Sequence, residues 1–257
     1  MGESRKELFA ALEAGMCHLW YWRPDSLTLS HVERGLALLS PDELARHRRF
    51  LVPDPARTFL AARVLVRSLL SAYCSLSPTE WKFETNAWGR PHFVNPEAPA
   101  GLTFNLSHKP GFVTCLTGCH RELGVDVEDL SAGRPHLLDI AERFFSRAES
   151  AALRSLPEGQ QRDRFYQLWT LKEAYIKARG QGLSLGLSRF SFRFHAAAIG
   201  VDFDPELEDD ARSWEFRLFH PDASHLIATA VRSSGREPIH IVLRDAASMV
   251  ASVLEER

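Results

Sequence analysis

The run FYQLWTLKEAYIKARGQGLS, residues 165–184, reads as a long helix and its stop. Phe165, Leu168, Trp169, Tyr175 and Ile176 recur at helical spacing and claim an apolar face, while Glu173 and Lys177 sit one turn apart on another. The helix is expected from about Arg162 to Arg179, closed by Gly180 and Gly182.

Strand patterns surround it. FSFRF, WEFRLF and HLIATAV follow, and LGVDVED at 123–129 precedes it. Before that comes a hairpin: FNLSH at 104–108 alternates Phe104 and Leu106 against Asn105 and Ser107, Pro110 and Gly111 turn, and FVTCL at 112–116 returns. Leu137 to Phe145 is a shorter helical segment. Upstream, CHLWYW at 17–22 is an aromatic strand, and Ser40, Pro41, Asp42 and Glu43 start a helix into ARHRRF that Pro53 and Pro55 break. Residues 56–73 form a second helix with Phe59, Leu60, Val64, Leu65 and Leu69 inward and Arg57, Arg63 and Arg67 off the stripe. Trp81 and Phe83 alternate as a short strand that ends in the turn of WGRPHF at 88–93. RRF, the Arg57–Leu70 helix and WKFE echo ERFF, the Phe165–Ala178 helix and FSFRF, which suggests an α+β chain of two related halves, 1–120 and 121–257. The tail from Pro238 reads as a strand and a helical run.

The 257 residues are 45% hydrophobic and 25% charged, ordinary for a globular protein. A net charge of -2 gives no global field for nucleic acid, so an anion site must be built locally. Cys17, Cys74, Cys115 and Cys119 lie among apolar neighbours without a CxxC pair, as reduced thiols in a cytoplasmic protein would. No segment is apolar for long enough to span a membrane.

Asp126 and Glu128 lie two apart in a strand pattern whose other face holds Leu123, Val125 and Val127, so both carboxylates project from one side. Two hard oxygen ligands at that spacing can share a magnesium ion, and a solvated acidic face fits the spacing as well. Glu173 and Lys177 read either as a surface ion pair or as a third metal carboxylate with a charge neutraliser beside a transferring phosphoryl group. Arg46, Arg48 and Arg49 near a helix end suit a phosphate monoester or a solvated basic face. His108 stands where an imidazole can reach a ligand.

Together these segments resemble the larger, monomeric, surfactin-synthetase-activating class of 4'-phosphopantetheinyl transferases. GVDVE at 124–128 and FYQLWTLKEAYIKARGQGLS look like its two signature blocks, and WGRP at 88–91, FNLSH and ERFFSRAE at 142–149 look like its supporting blocks. The resemblance runs from about Ser40 to Phe194. It implies two similar α+β halves forming a pseudodimer, with coenzyme A as co-substrate in the cleft and Asp126, Glu128 and Glu173 as ligands of magnesium, or of manganese in its place. Gly89, Arg90 and Pro91 match the turn over the adenine. Arg46, Thr58 and His108 match positions near the 3'-phosphate, Ser107 matches one beside the pyrophosphate, and Lys172 and Lys177 match helix lysines near the phosphates. The family often has Lys at the position of Arg90 and basic residues at that of Glu43.

The implied reaction moves phosphopantetheine onto a serine of an acyl, polyketide or peptidyl carrier protein, with release of 3',5'-ADP. Glu128, directly or through a bound water, is the expected base, with Glu173 as its competitor. A metal-dependent nuclease would share the carboxylates and Lys177 but would carry a basic footprint. A binding module with a dead site would lack a metal ligand, and all three carboxylates are present.

Overall fold

The computed structural model describes residues 3–24, 27–120, 122–195, 198–233 and 238–255. The chain forms two compact units, Met1–Arg121 with His240–Arg257, and Glu122–Ile239. In chain order the first unit holds α1 (Arg5–Glu13), β1 (Cys17–Trp22), α2 (Leu29–Ala37), α3 (Pro41–His47), α4 (Pro53–Tyr73), β2 (Phe83–Thr85), β3 (Pro91–Phe93), β4 (Thr103–Lys109) and β5 (Phe112–Gly118). The second holds β6 (Leu123–Asp129), α5 (Leu137–Phe144), α6 (Arg147–Ser155), α7 (Glu158–Arg179), β7 (Phe190–Phe194), β8 (Ile199–Phe203), β9 (Trp214–Phe219) and β10 (His225–Arg232). The chain then returns to the first unit as β11 (Ile241–Asp245) and α8 (Ala247–Glu255). Residue 121, where the sequence places the start of the second half, lies outside the described residues. The tail departs from that division: β11 adds to β1 in parallel, with Cys17 opposite Ile241, and α8 buries Val250 and Leu254 in the first unit's core.

The first unit's sheet runs β11-β1-β5-β4. Ser40 caps α3, its hydroxyl accepting from the Glu43 N–H while the Glu43 carboxylate accepts from the Ser40 N–H. Pro53 occupies the first turn of α4, where no N–H donor is needed, so the PDP segment starts this helix rather than breaking the one before, which already ends at His47. Arg67 does not stay off the apolar stripe. It is 1% exposed, donates to the carbonyls of Pro78 and Trp81, and meets Glu43 Oε2 at 2.5 Å.

In the second unit β10 pairs antiparallel with both β6 and β9, and α7 lies along one face of that sheet. Gly124, Asp126 and Glu128 stand opposite Ala230, Ala228 and Leu226, which join Leu171, Ala174 and Ala178 of α7 in one core. The approach is close because Gly124 has no side chain: a Cβ there would lie 2.1 Å from the Ala174 carbonyl oxygen. Gly180 ends α7 at a positive φ of 64°, closing the last turn as a left-handed cap. Each unit therefore lays one long helix on a sheet, mixed in the first unit, where β11 is parallel to β1, and antiparallel in the second. No described helix is long and apolar enough to cross a membrane.

Candidate active site

The two carboxylates of β6 are not a solvated face. Asp126 is 5% exposed and Glu128 4%, and both point to the side covered by α7, while Leu123, Val125 and Val127 are buried on the other. A buried carboxylate is tolerated only with opposite charge or hydrogen bonds around it. The Lys177 ammonium reaches Asp126 Oδ1 at 2.6 Å, and the Arg134 guanidinium lies 3.6 Å from Glu128 Oε1.

Helical spacing places Trp169, Glu173 and Lys177 in one row along α7, each half-buried. Arg134 lies over the Trp169 ring at 4.7 Å and within 6.0 Å of Phe165. The row thus presents a carboxylate and an ammonium along the helix, with Lys177 reaching the acidic face of β6. Among the described residues no three His, Cys, Asp or Glu side chains converge closely enough to hold a metal by themselves. Magnesium does not require three, since it commonly takes one or two carboxylates and fills its shell with water and phosphate oxygens. The paired carboxylates on one strand face fit that demand.

Lys172 does not fit the role that the sequence suggests near the phosphates. It is 0% exposed, and its ammonium donates to the carbonyls of Leu187 and Phe190 and pairs with Glu149 at 2.8 Å. Burial draws its pKa down to about 8 against the pull of Glu149. Glu149 also accepts from the Ser146 and Phe192 N–H groups. This lysine ties α7 to α6 and β7 and has no surface to offer a ligand.

The other expected ligand contacts fall in the first unit. Arg46 is exposed in the last turn of α3, with its guanidinium 5.3 Å from the Phe59 ring, beside the buried Thr58. Ser107 is buried on β4. His108, expected just after the strand, is its exposed penultimate residue. Gly89 has φ 83°, and the Asn86 side chain accepts from the N–H groups of Trp88 and Arg90, so the turn leading to Pro91 is fixed by its own hydrogen bonds. Glu43, where the resemblance implies a basic residue, is instead the counter-ion of Arg63 and Arg67.

Gly124, Glu149 and Arg134 escaped the sequence reading. A glycine inside a strand signals a close backbone approach, and the Ser146-to-Glu149 spacing is a capping box. Arg134 leaves no local signal, because its partner is defined only once β6 and α7 are in place.

Residues 21–120 match the family profile described as 4'-phosphopantetheinyl transferase, N-terminal, and residues 122–230 match that of the 4'-phosphopantetheinyl transferase superfamily. The chain is 34% identical over 240 residues to the 4'-phosphopantetheinyl transferase HetI of Nostoc sp. (strain PCC 7120), covering 86% of this chain and 97% of that protein. It is 37% identical over 163 residues to the 4'-phosphopantetheinyl transferase Sfp of Bacillus subtilis (strain 168), covering 63% and 70%. A solved structure, the Thermotoga maritima holo-[acyl-carrier-protein] synthase, aligns over 44% of this chain and 62% of its own, at 21% identity and a TM-score of 0.35.

Proposed function

The chain belongs to the 4'-phosphopantetheinyl transferase superfamily, and from that premise we propose that it transfers 4'-phosphopantetheine from coenzyme A to a serine of an apo carrier protein and releases 3',5'-ADP. The observation that carries this reading at the level of residues is the buried Asp126 and Glu128 pair facing α7 with Lys177 against it.

We assign Asp126, Glu128 and Glu173 to magnesium, with manganese as a substitute, which when bound supplies positive charge to the pyrophosphate. Lys177 offsets the charge that builds on the bridging oxygen as the bond from the β-phosphorus to that oxygen breaks. The serine Oγ forms the new bond to the β-phosphorus, its proton passes to Glu128 or, in the alternative, to Glu173, and 3',5'-ADP leaves with the electron pair. Arg46, Thr58, Gly89, Arg90, Pro91, Ser107 and His108 are assigned to the nucleotide and phosphates of coenzyme A, and Lys172 is withdrawn from that set. The working form on this reading is a cytoplasmic monomer whose partners are acyl, polyketide or peptidyl carrier domains.

The test is the intact mass of an apo carrier protein after incubation with this protein, coenzyme A and magnesium, beside chelator and Glu173→Ala controls. A gain of one phosphopantetheine that disappears in both controls supports transfer and its metal dependence. No gain on carriers of all three kinds, with coenzyme A still bound, supports a binding module instead.

A further inference from the structure

Arg134 occupies the short connection after β6, its side chain 29% exposed, and its terminal nitrogen lies 3.6 Å from Glu128 Oε1. Its guanidinium rests on aromatic surface, 4.7 Å from the Trp169 ring centre and 6.0 Å from that of Phe165. Stacking of this kind holds a guanidinium in place without consuming its hydrogen-bond donors. The neighbouring cation is held differently: Lys177 makes a short 2.6 Å contact with Asp126, well inside charge-assisted hydrogen-bond distance, whereas 3.6 Å lies outside it.

We propose that Arg134 is a positioning residue that competes with a divalent cation for Glu128, neutralising that carboxylate when the cation is absent and yielding it when the cation arrives. The proposal rests on the reading of Glu128 as a metal ligand. The buried carboxylates Asp126 and Glu128 each already face an organic cation, so a divalent ion that takes an oxygen of Glu128 does so in competition with Arg134. The longer contact, 3.6 Å against 2.6 Å, is the cheaper one to release. The Trp169 shelf then keeps the guanidinium nearby, so Glu128 is neutralised again when the ion leaves. By linkage, whatever free energy the Arg134–Glu128 contact contributes to the metal-free state is subtracted from the affinity for the ion.

The experiment measures Mn2+ binding to the full chain without substrate, from the loss of the free-ion electron paramagnetic resonance signal, for the wild type, Arg134→Gln, Arg134→Lys and Glu128→Gln, with circular dichroism as the folding control. Arg134→Gln is expected to bind Mn2+ roughly two- to five-fold more tightly than the wild type, the range that loss of one partly exposed ion pair allows. Arg134→Lys, which keeps the charge but loses the planar stack, is expected to tighten binding less. If Arg134→Gln fails to fold, Arg134→Lys decides: tighter binding than wild type sustains the proposal, and equal or weaker binding overturns it. Wild type weakened by Glu128→Gln but unchanged or weakened by Arg134→Gln overturns the competition and leaves the metal reading standing. Equal binding by the wild type and Glu128→Gln removes Glu128 as a ligand, and the proposal falls with it.

Discussion

Gly124 and Ala174 meet backbone to backbone: a Cβ on the glycine would stand 2.1 Å from the Ala174 carbonyl oxygen and 2.4 Å from the Ala178 nitrogen. Those obstructing atoms belong to α7 itself and cannot rotate away. Gly124→Ala must therefore lift the helix from β6 and move Lys177 relative to Asp126. We expect a loss of about 1–3 kcal/mol, the usual scale of overpacking, together with a fall in carrier modification. Urea unfolding and the carrier mass assay check both, and wild-type values in each would refute the close-approach argument.

Lys172 carries a prediction that separates structure from binding. Its ammonium is wholly buried against Glu149, and removal of one member of such a pair strands the other. Lys172→Met should cost about 3–5 kcal/mol while leaving 3',5'-ADP affinity of the folded fraction unchanged. Calorimetric titration below the melting temperature checks the second part. A selective loss of nucleotide affinity at undiminished stability would return Lys172 to the ligand site.

This lysine also shows where sequence reading stops. Strand parity correctly put Asp126 and Glu128 on one side of β6, and periodicity found the β4–β5 hairpin and α7, because alternation and helical spacing are local properties. What covers a face is not local. Lys172 matches a lysine near the phosphates and Arg67 reads as off the apolar stripe, yet each is buried by partners 14 to 24 residues away: Glu149 and the carbonyls of Leu187 and Phe190 for the first, and Trp81 and Glu43 for the second. For the same reason the tail's β11 was visible as a strand while its pairing with β1 was not.

Glu43 is held where Arg63 meets Oε1 at 3.3 Å and Arg67 meets Oε2 at 2.5 Å, with the same carboxylate capping α3 at Ser40. A basic residue at this position would place a third cation against two arginines, one of them buried. Glu43→Lys is expected to cost about 3–5 kcal/mol, and Glu43→Gln, which still accepts hydrogen bonds, about 1–3 kcal/mol. Thermal melting of both variants checks the order. A Glu43→Lys protein as stable as the wild type would mean that the two arginines find other partners.

His18 gives the first unit an acid limit. Its ring is fully buried: Nδ1 lies 2.9 Å from the Tyr73 hydroxyl, which also accepts from Trp20 Nε1 at 2.8 Å and bonds Thr117 at 2.8 Å, while Nε2 meets no partner among the described residues. Burial, with the nearby Arg244 charge adding and Glu3 opposing, draws its pKa down to about 4. The unfolded chain takes up this proton near pH 6.5, and the folded one does so only near 4. Between those values the unfolded state binds more protons, so stability is complete above pH 6.5 and falls as the pH drops, by about 1.4 kcal/mol per unit or about 2 kcal/mol at pH 5. Urea unfolding at pH 7 and pH 5 should show that extra loss in the wild type and not in His18→Gln, which cannot titrate. Equal losses in the two proteins would mean that other groups govern acid sensitivity and that the His18 ring is reached by water before it is protonated.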